Sequence, residues 1–326
     1  MSKGCFITGV AGFVGSHLAE ALLALNHRVI GVDNFFSGYR ENMASFENHP
    51  DFTFHECSVE ESGLLGRLKR EHPDLDACFH LAAIVSVPYS VEHEAETMRV
   101  NWEATERLLG EAESLGCSRF VFAGSAAEYG EDDRLPLLES YVGQETIHVS
   151  PYGRAKYLST QRVASSPIGV ALRFFNIYGP RQDPKSPYSG VISRFIDFAI
   201  AGEPLNIFGD GRQTRDFIYV GDVVSAYLAA AGLGQFGAPL PTGVYNVGTG
   251  ISTSILELAD TIRDLTGSVL PHRFLPERAG DIRHSLASIE AIQALSPWSP
   301  RVDLREGLRR TMDSGLTDLP GGAGPS

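Results

Sequence analysis

Residues 150–156 begin a predicted helix that carries a tyrosine and a lysine four residues apart. At this spacing Tyr152 and Lys156 lie on the same face of the helix. Tyrosine has an ordinary pKa of about 10 and is a poor base at neutral pH. A neighbouring lysine ammonium favours the phenolate and should bring that pKa towards neutrality, so the pair could take a proton from a substrate hydroxyl. The same spacing also fits an ordinary surface pair, so it does not identify a site by itself.

A serine just after a predicted strand supplies a third group. Residues 119–123 are predicted to form the strand, and Ser125 follows it closely. In open parallel sheets, ligands bind beyond the carboxyl ends of the strands. A hydroxyl in that place could hydrogen-bond the same substrate oxygen as Tyr152, orient it and relay its proton. The three groups together predict proton transfer at a substrate hydroxyl.

The first strands have the order of elements that holds a dinucleotide. A buried strand at 5–8 leads into Gly9, Gly12 and Gly15, then an amphipathic helix and a second strand at 28–32. Glycines at this spacing let the backbone turn sharply, approach a pyrophosphate and pack the helix closely on its strand. The helix N-terminus then faces the phosphates with unpaired N–H groups.

Asp33 ends the second strand and predicts which dinucleotide binds. Its carboxylate can accept hydrogen bonds from both hydroxyls of an adenosine ribose and would repel a 2′-phosphate. Asn34 and Phe35 follow, and neither offers the positive charge that a 2′-phosphate needs. The sequence therefore predicts NAD rather than NADP, and the positive nicotinamide ring of NAD would also favour the phenolate of Tyr152.

The alternation of strands and helices predicts an α/β fold with a Rossmann-like, doubly wound parallel sheet and a smaller C-terminal α/β substrate domain. Further strands are predicted at 52–57, 77–81, 119–123 and 168–174. Helices are predicted at 60–70, 91–115, 151–164, 191–201, 222–231, 254–266, 287–295 and 304–313. The predicted domains are 1–176 for NAD, joined by about 215–248, then 177–318 for the substrate, with a disordered tail at 319–326.

Composition narrows the classes of function. The 326 residues are 43% hydrophobic and carry a net charge of −13, which argues against nucleic-acid binding. They contain no apolar run of the length that spans a membrane. The first strand begins within a few residues of the start, so we expect a cytoplasmic protein without a signal peptide. Cys5 and Cys78 lie in apolar strands and should be buried free thiols, and no zinc-ligand spacing occurs, so we expect no metal.

With these features the chain resembles the extended short-chain dehydrogenases/reductases, specifically NAD-dependent nucleotide-sugar epimerases of the UDP-glucose 4-epimerase type. The resemblance covers residues 3–295. It depends on stretches that occur in the family's order, at 8–15, 32–34, 80–83, 100–101, 124–130, 152–156, 173–181, 208–222 and 278–285.

The resemblance implies three sets of site residues. The catalytic set is Ser125, Tyr152 and Lys156, of which Tyr152 and Lys156 also contact the cofactor. The other cofactor-binding residues are Gly9, Gly12, Phe13, Val14, Asp33, Asn34, Ser58, Leu81, Ala82, Ala83 and Asn101. The substrate-binding residues are Ser125, Asn176, Val191, Arg212, Arg215, Arg278 and Ser285. Guanidinium groups suit a nucleotide diphosphate because they match phosphate oxygens two at a time.

Two positions depart from the family pattern. Cys57 and Ser58 stand where relatives usually place an aspartate that binds the adenine amino group, and Ser58 can offer only one hydrogen bond. Glu128 stands where many relatives have an apolar residue, and the sequence assigns it no role.

The activity implied is 4-epimerisation of a UDP-hexose. Tyr152 takes the C4 hydroxyl proton while the C4 hydride passes to NAD, the 4-keto sugar turns over, and the hydride returns to its opposite face. Ser285 occupies a position where relatives confined to plain hexoses carry tyrosine, so UDP-GlcNAc and UDP-GalNAc should be accepted as well as UDP-glucose and UDP-galactose. An alternative role for Ser285 is to cap the helix predicted near 287. The resemblance also implies a homodimer built from the helices at 91–115 and 151–164.

Other activities on this scaffold stay open. A 4,6-dehydratase places an Asp-Glu pair after the catalytic hydroxyl residue, where this chain has Ala126 and Ala127. A decarboxylase or uronic-acid epimerase needs a polar or cationic clamp for the C6 carboxylate, and no clear candidate is present. A non-catalytic NAD sensor would typically lack the tyrosine or the lysine, and both are retained.

Overall fold

Strands and helices alternate through most of the chain in this computed structural model, which describes residues 3–183, 190–277 and 282–314. The strands are β1 (Gly4–Thr8), β2 (Arg28–Asp33), β3 (Phe52–Glu56), β4 (Leu75–His80), β5 (Arg119–Ser125), β6 (Gly169–Phe174), β7 (Asn176–Tyr178), β8 (Asn206–Phe208), β9 (Thr214–Arg215), β10 (Phe217–Tyr219), β11 (Gly243–Val247), β12 (Thr253–Ser254) and β13 (Arg273–Leu275). The α-helices are α1 (Phe13–Ala24), α2 (Leu64–Glu71), α3 (Val87–Glu92), α4 (Glu94–Met98), α5 (Ala104–Ser114), α6 (Pro151–Ala164), α7 (Val191–Ile200), α8 (Val220–Ala231), α9 (Ile255–Thr266), α10 (Glu290–Leu295) and α11 (Leu304–Asp313).

Seven strands form one parallel sheet in the order β11-β6-β5-β4-β1-β2-β3. From β1 the strands follow one another outwards to β3. The chain then returns to β4, on the other side of β1, and continues outwards in the opposite direction to β11. This reversal between β1 and β4 is the topological switch point of a doubly wound sheet, where a crevice for a ligand opens. The predicted fold class is confirmed.

The alternating side chains of the central strands pack into two separate cores. Cys5 and Ile7 of β1 belong to the core that includes α1 and α8, whereas Phe6 belongs to the core that includes α2 and α5. Leu18 of α1 and Leu109 of α5 are both fully buried in these layers. The period of two along the strand therefore places helices on both faces of the sheet, as the sequence predicted.

A third apolar core lies outside the main sheet. It joins α7, α9 and α11 through Phe195, Ile262 and Leu308, among others. β11 follows β7 to β10 in the chain, yet it pairs with β6 in the main sheet. The division into domains at 1–176, 215–248 and 177–318 stays a prediction, and the tail at 319–326 lies outside the described residues.

The helix predicted over 91–115 is present from Glu94 to Ser114, but it is broken near its start and contains an irregular turn. The chain breaks the helix at His93, which has φ −128° and ψ 53°. After α4, a π-helical turn spans Arg99–Glu103 before α5 begins. The amide of Asn101 in this turn bonds both backbone groups of Ile84 at 2.8 Å. A contact from another part of the chain therefore holds the turn, and helical periodicity does not encode it.

Two further helices begin later than predicted. The helix expected from residue 60 begins at Leu64, after Gly63 in the left-handed conformation with φ +73°. The helix expected from 287 begins at Glu290, with Ile289 at its N-cap. Ser285 therefore caps no helix at this point, and the alternative role predicted for it is wrong.

The expected state of the cysteines is confirmed. Cys5 and Cys78 are buried free thiols, and Cys117 is buried as well. Within the described ranges, no helix combines the length and the apolar character needed to cross a membrane.

Gly15→Ala and Gly110→Ala form a matched pair of helix substitutions with opposite expected effects. A Cβ at Gly15 would stand 2.0 Å from the carbonyl oxygen of Gly9, so α1 would have to move off β1. A Cβ at Gly110, within α5, meets no described atom within 4 Å. We expect Gly15→Ala to lower the free energy of unfolding by about 1–3 kcal/mol. Gly110→Ala should raise it by about 0.5–1 kcal/mol, because alanine favours the helix. Urea unfolding measures the free energy of unfolding of both variants. Equal changes in the two would contradict the close packing of α1.

Candidate active site

Ser125 and Tyr152 are brought together by close contact between the turn after β5 and the first turn of α6. β5 ends at Ser125, and a short 3-10 turn follows it. Ser150 caps α6 by accepting the N–H of Gly153 at 3.1 Å. A Cβ on Gly153 would stand 2.7 Å from the carbonyl oxygen of Ala127, so glycine is needed for this approach. The hydroxyl of Ser125 then lies close enough to the phenol of Tyr152 to influence its pKa.

Burial dominates the titration of Tyr152. It raises the pKa of Tyr152 to about 12, against the lowering effect of the Ser125 hydroxyl. Lys156 lies one turn further along α6, with Nζ 5.9 Å from the centroid of the Tyr152 ring. The expectation that Lys156 and the nicotinamide ring together bring the tyrosine pKa towards neutrality stays a prediction. A phenolate at this position needs a further positive charge close to Tyr152.

Lys156 is a buried cation with fixed partners. Its side chain is 3% exposed, and Nζ donates to the carbonyl oxygen of Ala123 at 2.8 Å. Nζ also lies 4.8 Å from the centroid of the Phe122 ring. Burial lowers the pKa of Lys156 to about 8, while the Glu128 carboxylate acts in the opposite direction. The ammonium therefore stays mostly protonated at neutral pH and is held at the carboxyl end of β5.

A buried hydrogen-bond chain fixes the backbone after β4. The hydroxyl oxygen of Thr8 accepts the N–H groups of Leu81 and Ala82, both at 3.0 Å. It lies 2.7 Å from Nδ1 of His80, whose Nε2 lies 2.9 Å from the hydroxyl of Thr105. Burial lowers the pKa of His80 to about 3, so its ring is neutral. The Thr8 hydroxyl therefore donates to Nδ1, and Nε2–H donates to Thr105. Sequence analysis did not assign Thr8 or His80 a role, although His80 precedes the predicted cofactor segment directly.

The turn after β1 fits a dinucleotide. Gly9 has φ +74°, and a Cβ there would stand 2.9 Å from the backbone nitrogen of Ala82. Gly12 occupies the N-cap of α1 and has no side chain to cover the first N–H groups of the helix. Phe13 and Val14 form the first turn of α1. The backbone is therefore open to a pyrophosphate at a helix N-terminus, as the glycine spacing predicted.

Asp33 lies at the carboxyl end of β2 and fits an unphosphorylated ribose. Its carboxylate accepts the N–H of Ala11 at 3.0 Å and the N–H of Phe35 at 2.8 Å. Each oxygen keeps a second lone pair, so the group can still accept two ribose hydroxyls. Burial raises the pKa of Asp33, and the backbone hydrogen bonds lower it. The next residue, Asn34, is exposed. A carboxylate at this position fits the free ribose hydroxyls of NAD and disfavours the 2′-phosphate of NADP.

Two other predicted cofactor residues are engaged by the protein itself. Asn101 is 1% exposed, and its amide holds Ile84 as described above, so it braces the segment that contains Ala83. Ser58 follows β3, and its hydroxyl accepts the N–H of Glu60 at 3.1 Å. Direct contact between these side chains and the cofactor stays a prediction.

Apart from Ser125 on β5, the predicted substrate residues lie on several segments outside the main sheet. The described ones are Asn176 at the start of β7, Val191 at the start of α7, the exposed Arg212, the half-buried Arg215 on β9, and the buried Ser285. The predicted residue Arg278 lies outside the described residues. Thr214, next to Arg215, accepts the N–H of Ser285 at 3.1 Å. The structure therefore brings Arg215 and Ser285 to adjacent backbone positions.

Asp216 is a buried acid that sequence analysis overlooked. Its Oδ1 accepts the N–H of Thr249 at 2.7 Å. Its Oδ2 accepts the N–H groups of Gly250 at 2.9 Å and Ala287 at 3.2 Å. One carboxylate thus joins three segments, including those that carry Arg215 and Ser285. The sequence signal that could have identified Asp216 is an acidic residue between an arginine and an apolar strand.

One group of potential metal ligands occurs in the parts of the chain that the structure describes. The ligand atoms of His55, Glu71 and His72 lie within 4.8 Å of one another. Nη1 of Arg67 lies 3.8 Å from Oε1 of Glu71, and this cation would compete with a metal ion. The expectation that the protein uses no metal stays a prediction.

A tyrosine next to a buried lysine, at the edge where a dinucleotide cradle opens, defines an NAD-dependent enzyme of the extended short-chain dehydrogenase/reductase class. A profile of the NAD dependent epimerase/dehydratase family matches residues 5–248, and the chain belongs to this family. The predicted resemblance and the predicted cofactor, NAD, are confirmed.

Similar proteins span almost the whole chain. The UDP-glucose 4-epimerase of Mycolicibacterium smegmatis is 36% identical over 317 residues, which cover 94% of this chain and 96% of that protein. The UDP-N-acetyl-alpha-D-glucosaminuronate decarboxylase of Bacillus cytotoxicus is 34% identical over 341 residues, covering 96% and 97%. The solved structure of a UDP-N-acetylglucosamine 4-epimerase from Methanobrevibacter ruminantium, in complex with UDP-N-acetylmuramic acid, has a TM-score of 0.88 at 35% identity and covers 98% of this chain and 99% of that one. The chain is an NAD-dependent enzyme of the epimerase type.

Lys156→Met should stabilise the protein while removing activity. Because burial lowers the pKa of Lys156 to about 8, the buried charge destabilises the folded protein below that pH. We expect the variant to gain about 1–3 kcal/mol of unfolding free energy at pH 7. As pH rises above 8 the folded lysine releases its proton before the unfolded one does, so the wild type gains stability and the difference shrinks. Urea unfolding of both proteins at pH 7 and pH 9.5 measures this. A variant less stable than wild type at pH 7 would contradict it.

Proposed function

We propose that this enzyme interconverts UDP-hexoses that differ at C4, through a transient 4-keto sugar. The observation that carries the proposal is the grouping of Ser125, Tyr152 and Lys156 at the carboxyl edge of β5, beside the cradle that fits NAD. Relatives along nearly the full chain include UDP-sugar 4-epimerases, which supports the same substrate class.

The protein groups divide the work at C4. Tyr152 Oη receives the proton of the C4 hydroxyl, and Ser125 Oγ holds the same oxygen in place. Lys156 holds its positive charge close to the tyrosine from a site fixed by the Ala123 carbonyl. When bound, NAD supplies a hydride acceptor and the positive charge of its oxidised ring. The protein by itself lacks the positive charge needed to stabilise a phenolate at Tyr152, and the oxidised ring would supply it.

The turn after Ser125 favours epimerisation over dehydration. Ala126 and Ala127 offer no acid that could eliminate water from C6. Glu128 is fully buried and both its oxygens are engaged by protein donors, so it does not act as that acid. The retained tyrosine and lysine disfavour a purely sensory role. Since a decarboxylase is among the similar proteins, a UDP-uronic acid belongs in the experimental panel.

Tyr152→Phe tests the proposal on a panel of UDP-sugars followed by NMR. The wild type should convert UDP-glucose to UDP-galactose and UDP-GlcNAc to UDP-GalNAc. The variant should lose at least about 100-fold in kcat, since a positioned base contributes that much, and should keep its thermal stability. Carbon dioxide release from UDP-glucuronic acid, or near-normal turnover by the variant, would contradict the proposal.

Ser285 should admit an N-acetyl group at C2 of the sugar. The segment that carries it bridges Thr214 through His284 and Leu137 through Ala287, so Ser285 lies between the segment of Arg215 and the loop after the catalytic turn. This position suits contact with the sugar between its diphosphate and its reacting carbon. A serine there is small, whereas a tyrosine would occupy the space of an acetamido group.

Ser285→Tyr should therefore restrict the enzyme to plain hexoses. We expect kcat/KM on UDP-GlcNAc to fall about tenfold or more, with a smaller change on UDP-glucose, because overpacking costs about 1–3 kcal/mol. Ser285→Ala is the matched control and should keep both activities, since it keeps the space. Equal losses on both substrates in Ser285→Tyr, or a wild type inactive on UDP-GlcNAc, would refute this role.

The enzyme should act as a homodimer formed around α3 to α6. Val87 and Val91 on α3 are 41% and 62% exposed, while the apolar residues of α5 and α6 pack against their own sheet. Two-fold pairing through this surface would cover the valines. Light scattering at micromolar concentration should give the mass of two chains, and Val91→Asp should give one. A monomeric wild type would rule this out.

A further inference from the structure

Glu128 lies in a fully buried polar cluster next to the catalytic serine. Its Oε1 accepts the backbone N–H of Ser125 and the hydroxyl of Thr160, both at 2.9 Å. Its Oε2 accepts Nε–H of Arg173 at 3.0 Å. Glu128 and Arg173 are 0% and 1% exposed as side chains. The carboxylate is therefore satisfied from three directions, by β5, α6 and β6.

The two contacts of Oε1 join the elements that carry the catalytic groups. Ser125 ends β5. Thr160 lies on α6 four residues after Lys156 and eight after Tyr152, so these three side chains share one face of the helix. One carboxylate oxygen thus fixes the backbone of Ser125 relative to the helix face that presents Tyr152.

Arg173 holds the carboxylate from its other side. Its Nη1 donates to the hydroxyl of Tyr129 at 3.1 Å, and that hydroxyl donates to Oδ1 of Asn246 at 2.7 Å. The guanidinium is therefore linked to β11 through Tyr129, and it contacts the catalytic turn directly. A Cβ at Gly124 would stand 2.9 Å from Oε1 of Glu128, so the strand makes room for the carboxylate with a glycine.

We propose that Glu128 is a positioning residue for the reaction. Its carboxylate sets the separation between the Ser125 and Tyr152 hydroxyls, so that both reach one substrate oxygen. The inference rests on the proposed C4 chemistry, in which those two hydroxyls act on the same atom. The competing explanation is that Glu128 only neutralises the buried Arg173.

Two variants separate positioning from neutralisation. Thr160→Val keeps the ion pair and removes only the hydroxyl that ties the carboxylate to α6. The double variant Glu128→Leu/Arg173→Met removes both charges of the ion pair, and with them the carboxylate that supports the protonated form of Lys156. Positioning predicts that kcat falls in both, by about tenfold or more in the double variant, with KM within about twofold and thermal stability near that of wild type, because small displacements of reacting groups are costly. Neutralisation predicts normal kcat in both.

Glu113→Gln is the control for loosening α6 in general. Its carboxylate accepts from Arg162 of α6 at 3.1 Å, in another ion pair that ties α6 to α5. It should keep wild-type kcat. An equal fall of kcat in this control, or a normal kcat in Thr160→Val, would overturn the positioning role. If the double variant fails to fold, Thr160→Val decides alone.

Crystal structures of the wild type and Thr160→Val give a readout that needs no substrate. The distance between Ser125 Oγ and Tyr152 Oη should be longer in the variant, and an unchanged distance would overturn the inference. An inactive wild type would contradict the proposed epimerase activity, whereas an active wild type with fully active variants would contradict only the role of Glu128.

Discussion

The hydrogen bond from Lys156 to the carbonyl oxygen of Ala123 is the contact on which the catalytic edge depends. It holds a buried ammonium at the end of β5, although burial alone favours loss of its proton. The neighbouring Glu128 carboxylate counteracts that tendency. The acceptor is a backbone group of the central sheet, so the fold determines where the cation is held. At neutral pH the lysine is mostly protonated, so in the proposed reaction the phenol of Tyr152 is the group of the pair that changes its charge state.

The same physical rule governs the other buried charges around the site. Asp33, Glu128 and Asp216 each accept hydrogen bonds from backbone N–H groups, whose positions the fold determines. A buried charge without such partners would be strongly destabilising. With them, each carboxylate also joins segments that are distant in sequence. Asp33 connects β2 to the turn after β1, and Asp216 connects β9 to the loop after β11. The segments predicted to contact the cofactor and the substrate are thereby attached to one sheet.

The sequence predicted the elements whose pattern is local. Strands β1 to β6 of the main sheet and α6 match their predicted positions within two residues, because a period of two and an N-cap Ser150 with Pro151 are encoded in neighbouring residues. No strand was predicted at the position of β11. The break at His93 and the π-helical turn at Arg99–Glu103 were not predicted. The contact between Asn101 and Ile84 that holds this turn joins different parts of the chain. The glycine positions were predicted with their reasons, and Gly15 packs on Gly9 as the spacing required.

The charge states of Tyr152 and Lys156 and the role of Glu128 could not be predicted from the sequence, for a related reason. Spacing shows that Tyr152 and Lys156 share a helix face, but it does not show how deeply the tyrosine is buried, and burial decides the direction of its pKa. Glu128 has its partners 32 and 45 residues away, at Thr160 and Arg173. Only their arrangement in space shows that an unusual acid in the catalytic turn is paired with an arginine that is always charged.

In the proposed reaction, the hydrogen at C4 leaves and returns to the opposite face of the same carbon without exchanging with solvent. Conversion of UDP-glucose labelled with deuterium at C4, in ordinary water, tests this most directly. The account predicts UDP-galactose that retains the deuterium at C4, observed by NMR and mass spectrometry. Product that has exchanged its C4 deuterium for solvent hydrogen would contradict it.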